Sequence, residues 1–451
     1  MRRPSIRSLA GGAAGIVIGV ATGAVITAVS AAGPPAAPAG LALIDAAHVP
    51  PLLRLPGEPV RLRYSLVCTP RDDGRACDGS GTVYVRAGVA GQFQPLSLVR
   101  GDESKDGRYY VDVPPEIAAS PDGFSYYAVL HDDTTGAGVT VPTGGAEAPQ
   151  LSLPLSDPVP VALGRHEFGD TRAPSAQVVD AAWGSGPDDV GLAGSRELGF
   201  SGPSSFDVEP DGTVDLLDSV NQRVVRWRQH QVDRVPVAVQ PGLADFAAES
   251  NGGFDVLEPP GLLRRLRADG TPVWAQKLAD RTWAKLEQGA SGPVVFQDPA
   301  EQWVPMADDA GPLSRSAQAR AAHNGKQLAN GHELLVDRVG ESELRVAETA
   351  GRSVLRSWRI TSDTPLGEVQ LAEPEGNRVL VVTRAYTDDT DEFVVLLLDR
   401  AGVAARFAVD SASWTETAPL ARFRLAHGRL YRLRTTPGGM SIDRFDLEVP
   451  Q

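Results

Sequence analysis

Apolar and polar side chains alternate with a period of two along much of the chain. Val60-Arg61-Leu62-Arg63-Tyr64-Ser65-Leu66-Val67 is the clearest case. A period of two sends every second side chain to one face of an extended strand. Gly81 to Val85, Gly107 to Val113 and Phe124 to Leu130 carry similar β-like runs, with no 3.6-residue pattern between them. Residues 51–148 are therefore expected to form a β-sandwich, a fold that takes about 100 residues. Pro-rich stretches border it. Residues 33–50 read as a Pro/Ala linker and residues 149–165 as a second join.

Beyond the second join one pattern recurs. A glycine precedes a short apolar strand at Gly212 (to Asp218), Gly252 (to Glu258), Gly292 (to Asp298), Gly331 (to Asp337), Gly376 (to Thr383) and Gly428 (to Arg434). Successive glycines are 40, 40, 39, 45 and 52 positions apart by subtraction. A repeat of about 40 residues holding several short strands is the signature of propeller blades, each a sheet that cannot bury its faces alone. The expectation is an all-β chain, with a six-bladed β-propeller over 166–451 following the sandwich. The last repeat reaches only its third strand, near Met440 to Leu447, before Gln451. An outer strand should then come from Ala176 to Ala182, because closure removes an exposed sheet edge.

Composition narrows the function classes. Hydrophobic residues make up 42% of the 451, enough for a packed core. The formal net charge of −14 argues against nucleic acid as a partner, since that needs a clustered basic footprint. Arg2, Arg3 and Arg7 precede an uncharged stretch from Ser8 to Ala32. That order fits a signal peptide over 1–32 and hence export. The stretch is also long enough to stay as a membrane tether through residues 9–32, and Gly11, Gly15, Gly19 and Gly23 would form one smooth helix face. Either outcome puts the remainder outside the membrane or in the cell envelope. Cys68 and Cys77 are the only cysteines, and Pro70 and Asp73-Gly74 lie between them. In an exported chain a disulfide is the default.

Two resemblances follow from particular residues. Gly202 to Val224, with Asp211-Gly212 and Asp218-Ser219-Val220-Asn221-Gln222-Arg223, resembles an NHL repeat, and Trp183-Gly184-Ser185-Gly186-Pro187 resembles the lead-in to one. Gln222 stands where that family has its histidine. The resemblance implies a six-bladed propeller used mostly for binding. The runs Gly107 to Val113 and Tyr126 to Val129 resemble immunoglobulin or fibronectin-III modules of secreted bacterial proteins. Gly270-Thr271-Pro272-Val273-Trp274 also looks like a propeller repeat of quinone enzymes, too generic to imply a cofactor.

No Gly-x-Ser-x-Gly, phosphate-binding glycine loop or His-Glu-x-x-His occurs, so no catalytic or metal residue is assigned. The seven histidines are scattered. Arg422, Arg424, Arg429, Arg432 and Arg434 alternate with apolar residues, as on a solvated strand face or an anion-binding patch. The candidate ligand-binding residues are acids that follow the repeated strand: Asp218, Glu258, Asp298 and Asp337, with Asp388 and Asp389 in a longer loop. Placed around one rim they would favour a cationic partner or calcium. The alternative is that each acid caps its own turn, as Asp218 would by pairing with Arg223. The functional expectation is an exported binding or scaffold protein that recognises a protein or carbohydrate ligand. The second reading is a metal-dependent lyase or hydrolase working in the central channel.

Overall fold

The computed structural model describes residues 44–447, apart from 69–77, 102–107, 196, 198, 230, 241–243, 279–282, 298–300, 309 and 417–419. Contacts divide the chain into Met1–Ala42 and Leu43–Gln451, and only the second unit is described. The expected leader or tether and the Cys68–Cys77 bridge lie outside the described residues and side chains.

Two sheets face one shared core at the N-terminal side. One runs Ile44–Ala47, Arg61–Cys68, Arg108–Asp112, Val99–Arg100; the other runs Leu53–Arg54, Gln150–Pro154, Phe124–Asp132, Gly79–Ala87, Gln94–Ser97. The alternation in 60–67 places Leu62, Tyr64 and Leu66 inward, against Val83, Val85, Phe124, Tyr126 and Leu130 of the facing sheet. Each fully buried side chain of this size contributes about 1.5–3 kcal/mol relative to exposure. The stretches read as linkers carry strands. Ile44–Ala47 pairs with Arg61–Cys68, Gln150–Pro154 extends the second sheet, and Val159–Ala162 runs parallel to Ser353–Thr361. These runs are too short and too proline-flanked to show an alternation, so only their partners reveal them.

The repeat glycines each mark a sheet. In the Gly212 sheet the strands Phe206–Val208, Val214–Asp218, Arg223–Arg228 and Gln231–Pro236 pair in sequence order. The Gly252 sheet repeats this with Asp245–Ala248, Phe254–Glu258, Leu262–Leu266 and Pro272–Lys277. The Gly292 sheet has Trp283–Gly289, Gly292–Gln297 and Gln302–Pro305. The Gly331 sheet has Lys326–Gln327, Glu333–Arg338, Glu343–Ala350 and Ser353–Thr361, and the Gly376 sheet has Leu366–Glu375, Arg378–Tyr386, Asp391–Asp399 and Gly402–Asp410. The Gly428 sheet has Phe423–Ala426, Arg429–Thr436 and Gly439–Asp446, and Ala176–Ala182 completes it by pairing antiparallel with Gly439–Asp446.

The repeat itself is turn chemistry. In Glu209-Pro210-Asp211-Gly212-Thr213 the Gly212 N–H donates to the Glu209 carbonyl, and the Thr213 N–H donates to the Asp211 carboxylate at 2.8 Å. Asn251-Gly252 and Asn330-Gly331 make the same turn, with the asparagine side chain accepting in place of aspartate. The glycine is in the left-handed region, φ +85° at Gly212, where a Cβ would be strained.

Each sheet buries its faces against its neighbours. Leu217 and Val224 of the Gly212 sheet pack with Phe246, Phe254 and Val256 of the next. Leu257 and Leu263 pack with Leu286 and Val295. Val346 and Trp358 pack with Val379 and Leu396, and Val395 and Leu397 pack with Phe423 and Phe445. The ring closes where Val179, Leu433 and Ile442 meet Phe206 and Leu216. Sheets stacked face to face around a closed circuit form a β-propeller. Between the Gly292 and Gly331 sheets no comparable apolar cluster is found among the described residues. The helix Arg315–Ala321 is inserted there, with Ser314 Oγ accepting from Ala317 N at its start.

Closure by Ala176–Ala182 sets a test. Ile442→Ala should cost about 2–5 kcal/mol, because its side chain fills the closing core. Val178→Ala, on the exposed face of the closing strand, should stay within about 0.5 kcal/mol. Urea unfolding of the full chain measures both, and equal effects would contradict this face assignment.

Candidate functional site

Three of the rim acids, Asp218, Glu258 and Asp337, are buried and bonded within the chain. Asp218 is 1% exposed; its carboxylate accepts from the N–H of Gly191 (3.1 Å) and Asn221 (3.2 Å), from Asn221 Nδ2 (2.8 Å) and from Arg223 Nε (3.0 Å). Glu258 is buried against Arg264 and accepts from Gln240 N at 3.1 Å. Asp337 accepts from Leu53 N at 2.9 Å, and burial pushes its carboxyl up to about 6. Asp388 and Asp389 are exposed in the loop after Tyr386. Asp298 lies outside the described residues. No hydrogen bond or ion pair joins any two of these acids among the described residues. Nor does any group of three or more His, Cys, Asp or Glu among them suit a metal.

The structure instead brings together a set that the repeats did not single out. Asp207, Asp245, Glu287, Lys326, Glu373 and Arg424 each stand on the first strand of a different sheet. Those strands enclose the axis of the ring. Lys326 Nζ lies 2.7 Å from Glu287 and also pairs with Glu373. One ammonium thus ties three sheets together, across the seam that has no apolar cluster. Opposite, Arg424 Nε donates to the Phe206 carbonyl at 3.0 Å and approaches Asp207 at 3.7 Å, and a terminal nitrogen reaches the Phe246 carbonyl at 3.4 Å. First strands have an unpaired inner edge, and Arg424 satisfies two of its carbonyls. Asp245 accepts from Ser205 Oγ (2.6 Å) and Leu286 N (2.6 Å), linking three first-strand neighbourhoods.

Burial and neighbours oppose each other at this axis. Burial raises Asp207, Asp245 and Glu373 above the usual carboxylate range, despite the nearby cations. At Glu287 burial also opposes the charge, but Lys326 and Arg424 together hold it below its ordinary value. Burial pushes Lys326 and Arg424 down, and the surrounding acids more than reverse this. The result is a set in which two cations each face carboxyls, four carboxyls in all.

A second repeated set lies farther out. Arg226 forms a fork with Asp215 (2.7 and 2.8 Å) and reaches Glu209 at 3.1 Å; Arg265 does the same with Asp255 and Glu249. Burial beside Asp215 pushes Glu209 up to about 7. Arg226 also donates to the Gly252 carbonyl of the next sheet, so the set joins neighbours.

The arginines of the last repeat are enclosed only in part, and Arg429 stays exposed. Arg424 and Arg432 are enclosed, Arg422 lies over the Phe393 ring at 5.0 Å, and Arg429 and Arg434 pair with Asp446 and Asp443. Where the last sheet is stacked on its neighbours both strand faces are covered, so alternation alone does not imply a wet side. Of the histidines, His166 pairs with Glu392 at 2.8 Å and His332 with Glu348 at 2.7 Å.

No family model and no curated protein matches the chain. Among solved structures it is similar to a streptogramin B lyase, at 11% identity and TM-score 0.31, over 56% of this chain and 85% of that one. It is similar to BamB from Moraxella catarrhalis at 14% identity and TM-score 0.29, over 56% and 93%. It is also similar to the β-propeller domain of Cps50 (Swd1) from Myceliophteria thermophila at 9% identity and TM-score 0.33, over 61% and 99%. The architecture stated above rests on this chain's own sheets.

Lys326→Met tests the axial set. It leaves Glu287 and Glu373 facing each other without a cation, and breaking such a pair costs about 3–5 kcal/mol. The remaining carboxyls would then have folded-state values above their unfolded ones. Their destabilisation therefore grows as pH rises through that window and fades as pH falls below it. Unfolding of Lys326→Met at pH 4.5 and 7.5 should show a smaller deficit, relative to the parent, at the lower pH.

Proposed function

We propose that the chain is an exported, cell-surface or extracellular binding protein, built as an immunoglobulin-like sandwich (51–148, with its flanking strands) and a six-bladed, NHL-type propeller (166–451). Its ligand is a protein or carbohydrate taken on a face of the propeller. The observation that carries this reading is the axial set. Lys326, Arg424 and the four acids around them use their charges on one another and on first-strand carbonyls. Side chains paired in this way brace a scaffold, leaving recognition to the loops. Among the described residues, the exposed Asp388 and Asp389 are the sequence-predicted acids left for a ligand. Export is supported by the order of basic, apolar and small residues in 1–32.

Cross-linking on intact cells of the host, followed by fractionation, tests both halves. The chain should sit outside the cytoplasmic membrane, and an envelope component should be captured. That component should bind the purified full chain saturably and be recovered chemically unchanged. Changing Asp388 and Asp389 together to Asn should weaken binding several-fold. Recovery of a cleaved component would support the lyase or hydrolase reading instead, and a cytosolic chain would refute export.

A further inference from the structure

Two long connections meet on the rim where the last sheet closes onto the first. One leads from Ala182 to Phe206 and carries a small hairpin of Ala193–Ser195 and Gly199–Ser201; the other leads from Asp410 to Phe423. Long connections of this kind usually carry function rather than merely join strands. They are tied together by backbone, since the Glu416 N–H donates to the Phe200 carbonyl at 3.0 Å. Three rings gather there. Phe200 stacks on Trp414 with centroids 4.7 Å apart, and Trp183 lies 6.1 Å from Trp414. Two of them are anchored to the last sheet. Trp183 Nε1 donates to the Thr436 carbonyl at 2.9 Å, and the Trp414 N–H donates to Thr435 Oγ1 at 3.0 Å.

Packing does not bury this cluster. Trp183, Phe200 and Trp414 all stay half-buried, whereas Phe393 and Phe423, which meet at another seam, are fully enclosed. Aromatic rings that are held in place and yet reach solvent together are the usual anchors of an interface. Glu416 stands beside them. It is exposed, its carboxylate lies against Gly199, and it makes no ion pair among the described residues. The same connection reaches the acidic turn of the neighbouring sheet, where Ser411 Oγ donates to the Asp391 carbonyl at 2.8 Å. Asp388 and Asp389 are exposed in that turn. Rings and exposed acids thus lie along one stretch of rim.

We propose that this stretch of rim docks a basic, arginine- or lysine-rich segment of a protein partner, with Trp183, Phe200 and Trp414 as aromatic anchors and Glu416 as the acid that meets its cations. The proposal rests on the binding-protein reading above and narrows its ligand. A guanidinium can lie on a ring while donating to a carboxylate beside that ring, so one side chain uses both features. The net charge of −14 draws the same partner at a distance. A neutral sugar would use the rings and leave Glu416 without a counter-charge.

Calorimetric titration of the full chain in neutral detergent tests it, with N-acetylated, amidated hexa-arginine as the probe and cellohexaose as the alternative. The peptide should bind saturably at physiological salt. Trp414→Ala should weaken it about tenfold or more. General attraction to an acidic chain would not show that loss, because the change leaves every charge in place. Glu416→Gln, an exposed change of nearly equal size that keeps the rings, should weaken it about threefold or more. No binding at millimolar peptide overturns the proposal, as does binding that either variant leaves unchanged. Saturable binding of cellohexaose that Trp414→Ala abolishes overturns it in favour of a carbohydrate. Each of these results leaves export and envelope capture, which are read on cells, to stand or fall separately.

Discussion

A β-sheet with two apolar faces cannot stand alone, and this constraint governs the larger part of the molecule. Each repeat sheet leaves valines, leucines and phenylalanines on both sides, and the only partners available are the sheets before and after it. Stacking therefore continues until it meets its own beginning. It does so because Ala176–Ala182, taken from before the first repeat, pairs with Gly439–Asp446 from the last. The bond between chain ends is thus an apolar one, with Val179 and Ile442 against Phe206. Without it two sheet faces and a strand edge would be wet.

Apolar packing alone leaves one seam weakly served. Between the Gly292 and Gly331 sheets the shared apolar cluster is replaced by an inserted helix and by Lys326. An ammonium between two carboxylates is directional and needs all three partners in place. It supplies what non-directional packing cannot at that position, which is register between first strands that share no backbone ladder. Arg424 does the equivalent work on the far side by binding two first-strand carbonyls. A buried charge set of this kind gives little net stability, and its removal as a whole costs less than the loss of one member.

The junction between the N-terminal sheets and the Gly331 sheet combines apolar packing with an ion pair in the same way. Leu53 and Leu153 pack on Leu335 and Ala347, and Arg345 grips Glu58 from across the junction.

The all-β character, the repeat glycines and the closing strand were legible in the residues themselves. They depend on local rules: a period of two, an Asx-Gly turn that needs a left-handed φ, and a count of strands that came out one short. The strands inside the expected linkers were not legible, because two to five residues beside prolines carry no period. The axial set was not legible either. Asp207, Glu287 and Lys326 each stand five residues before their repeat glycine, but Asp245, Glu373 and Arg424 stand seven, three and four before theirs, and the six differ in charge, so no common motif marks them. Sequence spacing reports what lies near along the chain, and so it pointed to Asp218, whose partners Asn221 and Arg223 are three and five residues away. Which charges meet across the ring is decided by closure, a property of all the sheets together, and Lys326 finds Glu373 only once they have stacked.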